Sequence, residues 1–276
     1  AKNVSVNYAI TGTATGSGTD FTLTDGTLTI SAGASSGTIT IDSIVDDTID
    51  EENETVVLTL SSPSNATLGS DSIHTYTITD NESTPTIDFN TSSSSGAESV
   101  SSKAITVDLS GPSGEIVTID FAVTGTATGS GGDYTLGDGT LSIAAGDTTG
   151  TITIANIVDD TTDETDETVI ITLSSPSNAS LGSDKVHTYT ITDDDDQPEI
   201  SFNVTTSSGS ESISSTAITV DLSAASTSDI TVNYALSGTA VGSGNDYTLS
   251  DGTLTINAGE TSATIIITGI IDDLSS

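Results

Sequence analysis

Short runs in which Thr or Ser alternates with Val, Ile or Leu, turn-forming dipeptides between those runs, and a 113-residue internal period together predict an all-β fold. The expected architecture is a tandem of seven-stranded antiparallel β-sandwiches of immunoglobulin-like size. The alternation is plain in Thr27-Leu28-Thr29-Ile30, Thr38-Ile39-Thr40-Ile41 and Thr75-Tyr76-Thr77-Ile78-Thr79, where successive side chains point to opposite faces and one face can be buried. Thr, Val and Ile suit such a pleated, half-buried surface, and no stretch shows the helical period. The dipeptides Asp25-Gly26, Asp138-Gly139 and Asp251-Gly252 lie between alternating runs and are expected to be hairpin turns in which Gly supplies a positive φ. Their Asp residues are accordingly assigned to turns and kept out of any binding site.

The period appears in Val45-Asp46-Asp47, Val158-Asp159-Asp160 and Ile271-Asp272-Asp273, in Gly12-Thr13-Ala14, Gly125-Thr126-Ala127 and Gly238-Thr239-Ala240, and in Asp20-Phe21, Asp133-Tyr134 and Asp246-Tyr247. Repetition at domain length marks a tandem array whose units share one role. Pro85 and Pro198 obey the same spacing, follow acidic runs and precede Ile87-Asp88-Phe89 and Ile200-Ser201-Phe202. They divide the chain into a first repeat, 1–84, expected to lack its opening strands, a complete middle repeat, 85–197, and a third repeat, 198–276, expected to lack its last strands. Such cuts suggest a window on a longer repetitive polypeptide.

Within the middle repeat, alternating runs place strands in order near 86–91, 103–109, 116–124, 133–143, 149–156, 168–174 and 186–193. The first follows the Pro85 joint. The fourth spans the Asp138-Gly139 dipeptide, the sixth follows an acidic loop, and the seventh carries His187-Thr188-Tyr189-Thr190-Ile191 and ends in the run 193–196.

Composition narrows the function. Forty acidic residues face three lysines, for a formal charge of -37. This excludes nucleic acid as a partner, since phosphate binding needs clustered Lys and Arg, and disfavours an anionic membrane surface. Carboxylates at this density repel one another unless cations neutralise them. There is no Cys, Met or Trp, so neither disulfides nor thiolate metal sites are available. No apolar run approaches the roughly 20 residues that span a bilayer, so membrane insertion of this segment is not expected, and no signal peptide is visible at the start.

In the middle repeat the acidic residues fall in loops: Glu98 between the first two expected strands, Asp133 at the start of the fourth, Asp159, Asp160, Asp163, Glu164, Asp166 and Glu167 after the fifth, and 193–196 after the last. Loops that follow alternate strands of an antiparallel sandwich gather at one end, so these groups can meet there, with Asp133 joining if its loop folds onto that end. Ca²⁺ takes six to eight hard oxygen ligands, and converging carboxylates are its usual protein source. Zn²⁺ would call for Cys or His, which these loops lack.

Read in order, these residues resemble the Calx-beta domain, found in sodium-calcium exchangers and in large bacterial or archaeal surface proteins. The resemblance rests on Gly125-Thr126-Ala127 leading to Asp133-Tyr134, then Asp138-Gly139-Thr140-Leu141, Ile157-Val158-Asp159-Asp160, Glu164, Asp166-Glu167-Thr168, Leu173-Ser174-Ser175-Pro176 and Ile191-Thr192-Asp193-Asp194-Asp195. It implies a seven-stranded sandwich with Ca²⁺ bound near the junction with the next domain. The ligands it implies are Glu98, Asp133, Asp159, Asp160, Glu164, Glu167, Asp193, Asp194 and Asp195 in the middle repeat. In the first repeat they are Asp20, Asp46, Asp47, Glu51, Glu54 and Asp80, and in the third Glu211, Asp246, Asp272 and Asp273. The family's third Asp of the loop after the fifth strand is Thr48 or Thr161 here, and the first repeat's exit run reads Asp80-Asn81-Glu82, so the implied sites are leaner than the family's fullest.

The leading expectation is a structural segment of an extracellular or cell-surface fibre, adhesin stalk or filament. Its partners would be calcium ions, the neighbouring repeats and other copies of itself, with short Pro-containing joints limiting swing between units. Two alternatives are a cell-surface module that binds carbohydrate, protein or ice, and a calcium-sensing regulatory domain. His74 and His187 occupy matching strand positions and are assigned structural roles, because nothing nearby completes a nucleophilic triad. Carboxylate pairs can serve glycoside hydrolysis, yet here they recur in every repeat without substrate-gripping aromatics, and no enzymatic activity is expected. Seven Asn-x-Ser/Thr sequons, at Asn3, Asn53, Asn65, Asn81, Asn90, Asn178 and Asn203, matter only in an organism that glycosylates its surface proteins.

Overall fold

Most of the period-two patterning becomes sheet in the computed structural model, which describes residues 2–272. The first repeat contributes β1 (Val4–Gly12), β2 (Gly26–Ile30), β3 (Glu54–Ser64) and β4 (Ile73–Ile78). The middle repeat contributes β5 (Thr86–Phe89), β6 (Ser93–Ala97), β7 (Ser102–Leu109), β8 (Val117–Gly125), β9 (Gly139–Ile143), β10 (Thr149–Ala155), β11 (Glu167–Ser177), β12 (Ser180–Leu181) and β13 (Val186–Thr192). The third holds β14 (Ile200–Phe202), β15 (Ser215–Leu222), β16 (Ile230–Tyr234), β17 (Gly252–Ile256) and β18 (Ser262–Thr268).

The middle repeat is a sandwich of two sheets, ordered β10-β7-β5-β12 and β6-β13-β11-β8-β9. Alternate residues of each strand point into the interface. Ile87 and Phe89, Ile105 and Val107, and Ile152 and Ile154 come from one sheet, and Ile119, Ile171, Leu173 and Tyr189 meet them from the other, all buried. A core of branched aliphatic residues at this density is what lets a domain of this size fold without disulfides.

Pairing is antiparallel except at two edges, where β12 runs parallel to β5 and β6 parallel to β13. Strand β6 corrects the sequence-based expectation, which left 93–97 as loop. Its sequence, Ser-Ser-Ser-Gly-Ala, has no apolar alternation to betray it. Main-chain pairing from Thr188 opposite Ser93 to Thr192 opposite Ala97 holds it in place, helped by the buried His187. The Thr91 carbonyl can only accept, so Nδ1 of His187 donates to it at 2.6 Å and Nε2 takes the Ser94 hydroxyl at 2.9 Å. The Phe89 ring lies 5.5 Å from the imidazole, tilted. In the first repeat, by contrast, His74 is exposed on β4, which has no β6-like neighbour.

Three further expectations change. The strand expected at 133–143 is confined to β9, because residues 128–134 close a turn: the Asp133 amide bonds to the Thr128 carbonyl and the Gly131 amide to the Tyr134 carbonyl. Tyr134 thus enters the core from a loop. The run Thr38-Ile39-Thr40-Ile41 is not a ladder strand. Its middle-repeat counterpart, β10, pairs with β7, and the described residues of the first repeat hold no strand equivalent to β7.

The Asp-Gly dipeptides are not hairpin turns with positive φ. Gly26, Gly139 and Gly252 open β2, β9 and β17 and are absent from the positive-φ glycines. The Asp before each accepts a main-chain amide from the neighbouring strand or the residues just past it: Asp25 from Ile10, Asp138 from Val123 and Asp251 from Leu236, each at 2.8 Å. The glycines are needed for close approach, since an aromatic ring covers each one. A Cβ would meet Tyr8 Oη at 2.6 Å on Gly26, Phe121 Cζ at 2.9 Å on Gly139 and Tyr234 Oη at 2.7 Å on Gly252.

Gly139→Val is therefore expected to destabilise the middle repeat by about 1–3 kcal/mol through overpacking against Phe121. Gly137→Ala, where a Cβ meets nothing within 4 Å, should stay within about 0.5 kcal/mol. Urea unfolding followed by circular dichroism distinguishes the two.

Candidate metal centre

One end of the middle sandwich collects carboxylates from four separate stretches of chain, and each arrives for a local reason. The parallel pairing of β6 with β13 continues one step beyond the ladder, where the Glu98 amide donates to the Thr192 carbonyl at 3.1 Å. Glu98 is thereby carried to the exit of β13, beside Asp193. The Asp193 amide in turn reaches Asp166 Oδ1 at 3.3 Å. Asp133 ends a turn in which its own Oδ2 accepts the Thr128 amide at 2.5 Å. The Val158 amide bonds to the Asp133 carbonyl at 2.9 Å, and Ile157, buried beneath, donates its amide to Ser101. These contacts fold the loop after β10 onto the turn before β9, bringing Asp160 and Glu164 over Asp133. Glu167 opens β11 opposite Ile191.

Two carboxylate groups result. In the first, Glu98, Asp193 and Asp195 place one oxygen each within 4.8 Å of the others. Glu98 Oε1, Asp193 Oδ1 and Asp195 Oδ2 are buried and have no hydrogen-bond partner. Three orphaned carboxylate oxygens on side chains this close are costly without a counter-charge. Their spacing suits a hard divalent cation, because oxygens bound at about 2.3–2.6 Å lie up to about 5 Å apart across the ion. In the second group, Asp133, Asp160, Glu164 and Glu167 line one cleft together with Glu98 and Asp193.

The electrostatics agree with the geometry. Burial, reinforced by a hydrogen bond to Asp193 and by its charge, pushes Glu98 up to about 7. Burial and the same two effects from Asp133 push Glu167 up to about 7. Glu164 is raised by burial and then by Asp160, Asp133, Asp193 and Asp195. Asp195 is raised by burial and then by Asp193, Asp194, Asp160 and Asp159. Among the described residues, the nearest charges to these groups are of their own sign.

Not every residue implied by the sequence turns inward. Asp159 is exposed and acts on the cluster only through its charge on Asp195. Asp194 is exposed, and its Oδ2 takes the Ser99 hydroxyl at 2.7 Å. In the first repeat Asp20, Asp46, Asp47, Glu51, Glu54 and Asp80 all line one cleft, joined by Glu52 and Glu82. Glu82 was missed from the sequence although it lies 113 residues before Asp195. Burial, a hydrogen bond to Asp80 and the charges of Asp80 and Asp46 raise its carboxyl. The Asp80 amide reaches Asn53 Oδ1 at 2.9 Å, repeating the Asp193–Asp166 contact.

In the third repeat Glu211, Asp246 and Asp272 are exposed, and Asp246 spends one oxygen on the Val241 amide at 2.6 Å. Asp273 lies outside the described residues. Glu211 is not buried as Glu98 is, because no strand equivalent to β13 pairs with its segment among the described residues.

Fold and site together define a tandem of β-sandwich domains with an acidic loop cluster at one end. The chain belongs to the Calx-beta domain family, which matches residues 1–82, 80–195 and 193–275. Among solved structures it is similar to CBD12 from CALX1.2, at 24% identity over 69% of this chain and 76% of that one with a TM-score of 0.38. It is also similar to the calcium binding domain CBD12 of CALX1.1, at 23% identity over 67% and 75% with a TM-score of 0.38. A third is the apo-form Calx CBD1 domain, at 23% identity over 41% of this chain and all of that one, TM-score 0.38. No curated protein matches the chain.

A pH dependence follows from the raised carboxyls. Glu98 and Glu167 sit above the ordinary value of 4.5 in the folded chain, so the fold binds more protons than the unfolded chain between 4.5 and about 7. Their contribution to stability is full below pH 4.5 and is lost as pH rises through about 7. In chelator, the thermal midpoint should fall across that interval. Glu98→Gln should flatten the fall and raise the midpoint at pH 8, as read by circular dichroism.

Proposed function

We propose that this chain is a non-catalytic, calcium-binding structural segment of a cell-surface or extracellular protein, in which Ca²⁺ at the loop end of each complete sandwich stiffens the array. The observation that carries the reading is the set of three buried, unpartnered carboxylate oxygens of Glu98, Asp193 and Asp195. A divalent cation would supply the missing positive charge there. Glu98, Asp193 and Asp195 would hold one ion, and Asp133, Asp160, Glu164 and Glu167 another. In the first repeat Asp20, Asp46, Asp47, Glu51, Glu54, Asp80 and Glu82 would serve. The donor set is all oxygen, as Ca²⁺ prefers over thiolate- or imidazole-seeking metals.

Two features support a mechanical role. The groups that would hold cations come from the segment after β6 and the exit of β13 and from the loop before β11, which also bridges to the next repeat. The exit run also leads directly into the Pro198 joint. Repetition of the acidic loop at every period fits a spacer better than a single switch. Filament or stalk placement and self-association belong to this reading, and the charge of -37 keeps such arrays soluble.

Calorimetric titration of the 276-residue chain with CaCl₂ at pH 7.5 should show saturable binding, with protons released at pH 6 as Glu98 and Glu167 give theirs up. Asp193→Asn with Glu98→Gln should weaken the middle-repeat binding at least about tenfold. Calcium at a hundred times its dissociation constant should stabilise the occupied repeat by about 2.7 kcal/mol. No heat and no shift in thermal midpoint at millimolar calcium would overturn the assignment.

A further inference from the structure

Away from the carboxylate clusters, the same loops make a second contact, and it crosses from one repeat to the next. Residue 50, in the acidic loop of the first repeat, forms a parallel bridge with Ser113 of the middle repeat. The Asp50 amide donates to the Pro112 carbonyl at 3.2 Å, and the Gly114 amide donates to the Asp50 carbonyl at 2.9 Å. One period later the bridge returns between Asp163 and Ser226. There the Thr227 amide and hydroxyl both donate to the Asp163 carbonyl at 3.3 Å, and the Ser226 hydroxyl lies 3.5 Å from Asp163 Oδ2.

The receiving turn is built to be stiff. Ser113 and Ser226 are each 2% exposed. Each hydroxyl accepts the amide two residues on, from Glu115 or Ser228, at 3.2 Å. Each carbonyl takes an amide from the turn after β9 or β17, Gly146 or Gly259, at 2.8 Å. The docking edge is equally constrained, because it is the loop folded over Asp20 or Asp133. At the first joint the two meet side chain to backbone: a Cβ on Gly114 would lie 2.9 Å from Glu51 Cγ and 3.2 Å from Glu51 Oε1.

We propose that the main chain at Asp50 and at Asp163 is a docking edge whose partner is the Ser-centred turn of the following repeat, and that this clasp sets one fixed angle at every joint of the array. Neighbouring repeats are otherwise tied by a single strand of linker, about which rotation is free by default. A second attachment, remote in sequence from the linker, removes that freedom. Because the bridge and the amide donated to the Asp50 or Asp163 carbonyl recur at the same period, successive joints repeat one rotation, and a longer array winds as a regular screw. At the first joint Glu51 belongs to the clasp and to the acidic cleft alike, so cation occupancy bears on the angle there; this last point rests on the calcium reading above.

The chain has no cysteine, so spin labels can be placed uniquely at the equivalent exposed positions Ser31→Cys, Ala144→Cys and Asn257→Cys, two at a time in the full chain. In chelator, where the calcium reading has no part, the 31–144 and 144–257 distances should share one mean and be narrow. Gly114→Val, which drives a side chain into Glu51, should broaden the first distribution about twofold, toward a linker-only joint, and leave the second alone. Thr227→Pro, which deletes the amide donated to Asp163, should do the reverse.

Wild-type means that differ by more than their widths overturn the clasp, as does an unaltered distribution in a variant whose circular dichroism is native. If neither variant folds, the comparison of the two wild-type means decides. Calcium should then narrow the 31–144 distribution in the wild type and not in Gly114→Val. Absence of calcium binding would remove that coupling and leave the clasp result in chelator standing.

Discussion

Like charges gathered where water is scarce are the constraint around which the middle repeat is organised. The sandwich brings Glu98, Asp193 and Asp195 to within 4.8 Å of one another with no cation from the protein to offset them, and a second set of four carboxylates lies alongside. Hydrophobic packing between the two sheets holds them there, since the strands that carry the loops are fixed by the alternation of Ile, Val and Leu with Thr. Core stability is spent in keeping charges close. Such a site is a poor device for stability alone and a good one for capturing a divalent ion.

The same loops meet the next repeat, and this joins chemistry to architecture. Asp50 and Asp163 lie within four residues of candidate ligands on either side, yet it is their main chain that bridges to Ser113 and Ser226. A segment that is charged on its side chains and paired along its backbone can respond to a cation and transmit that response to a neighbouring domain without a separate lever. Coupling of this kind needs differential contacts in the two states, and the Glu51–Gly114 approach is where such a difference would arise.

How much was legible beforehand depends on where the information resides. The all-β class, the 113-residue period and the acidic loops were readable because side-chain pattern carries them: the buried residues of β7, β10 and β11 fall on alternate positions and are apolar. Strand β6 was not readable, because Ser-Ser-Ser-Gly-Ala is held by main-chain pairing and by His187 rather than by its own packing. That pairing is also what buries Glu98, a cause of burial that the sequence pattern does not show. The Asp-Gly dipeptides misled because a sequence shows a glycine without showing the ring above it. Glu82 escaped although the period pointed to it, and the clasp escaped because Ser113 and Ser226 look like ordinary loop serines until the neighbouring repeat is in place.

Crystals of the chain grown with calcium, measured near an absorption energy where calcium scatters anomalously, test the central claim most directly. The prediction is an anomalous peak between Glu98, Asp193 and Asp195, bonded to the three oxygens that otherwise lack partners, at about 2.3–2.6 Å. Clear density for these side chains with no peak among them at millimolar calcium would contradict it.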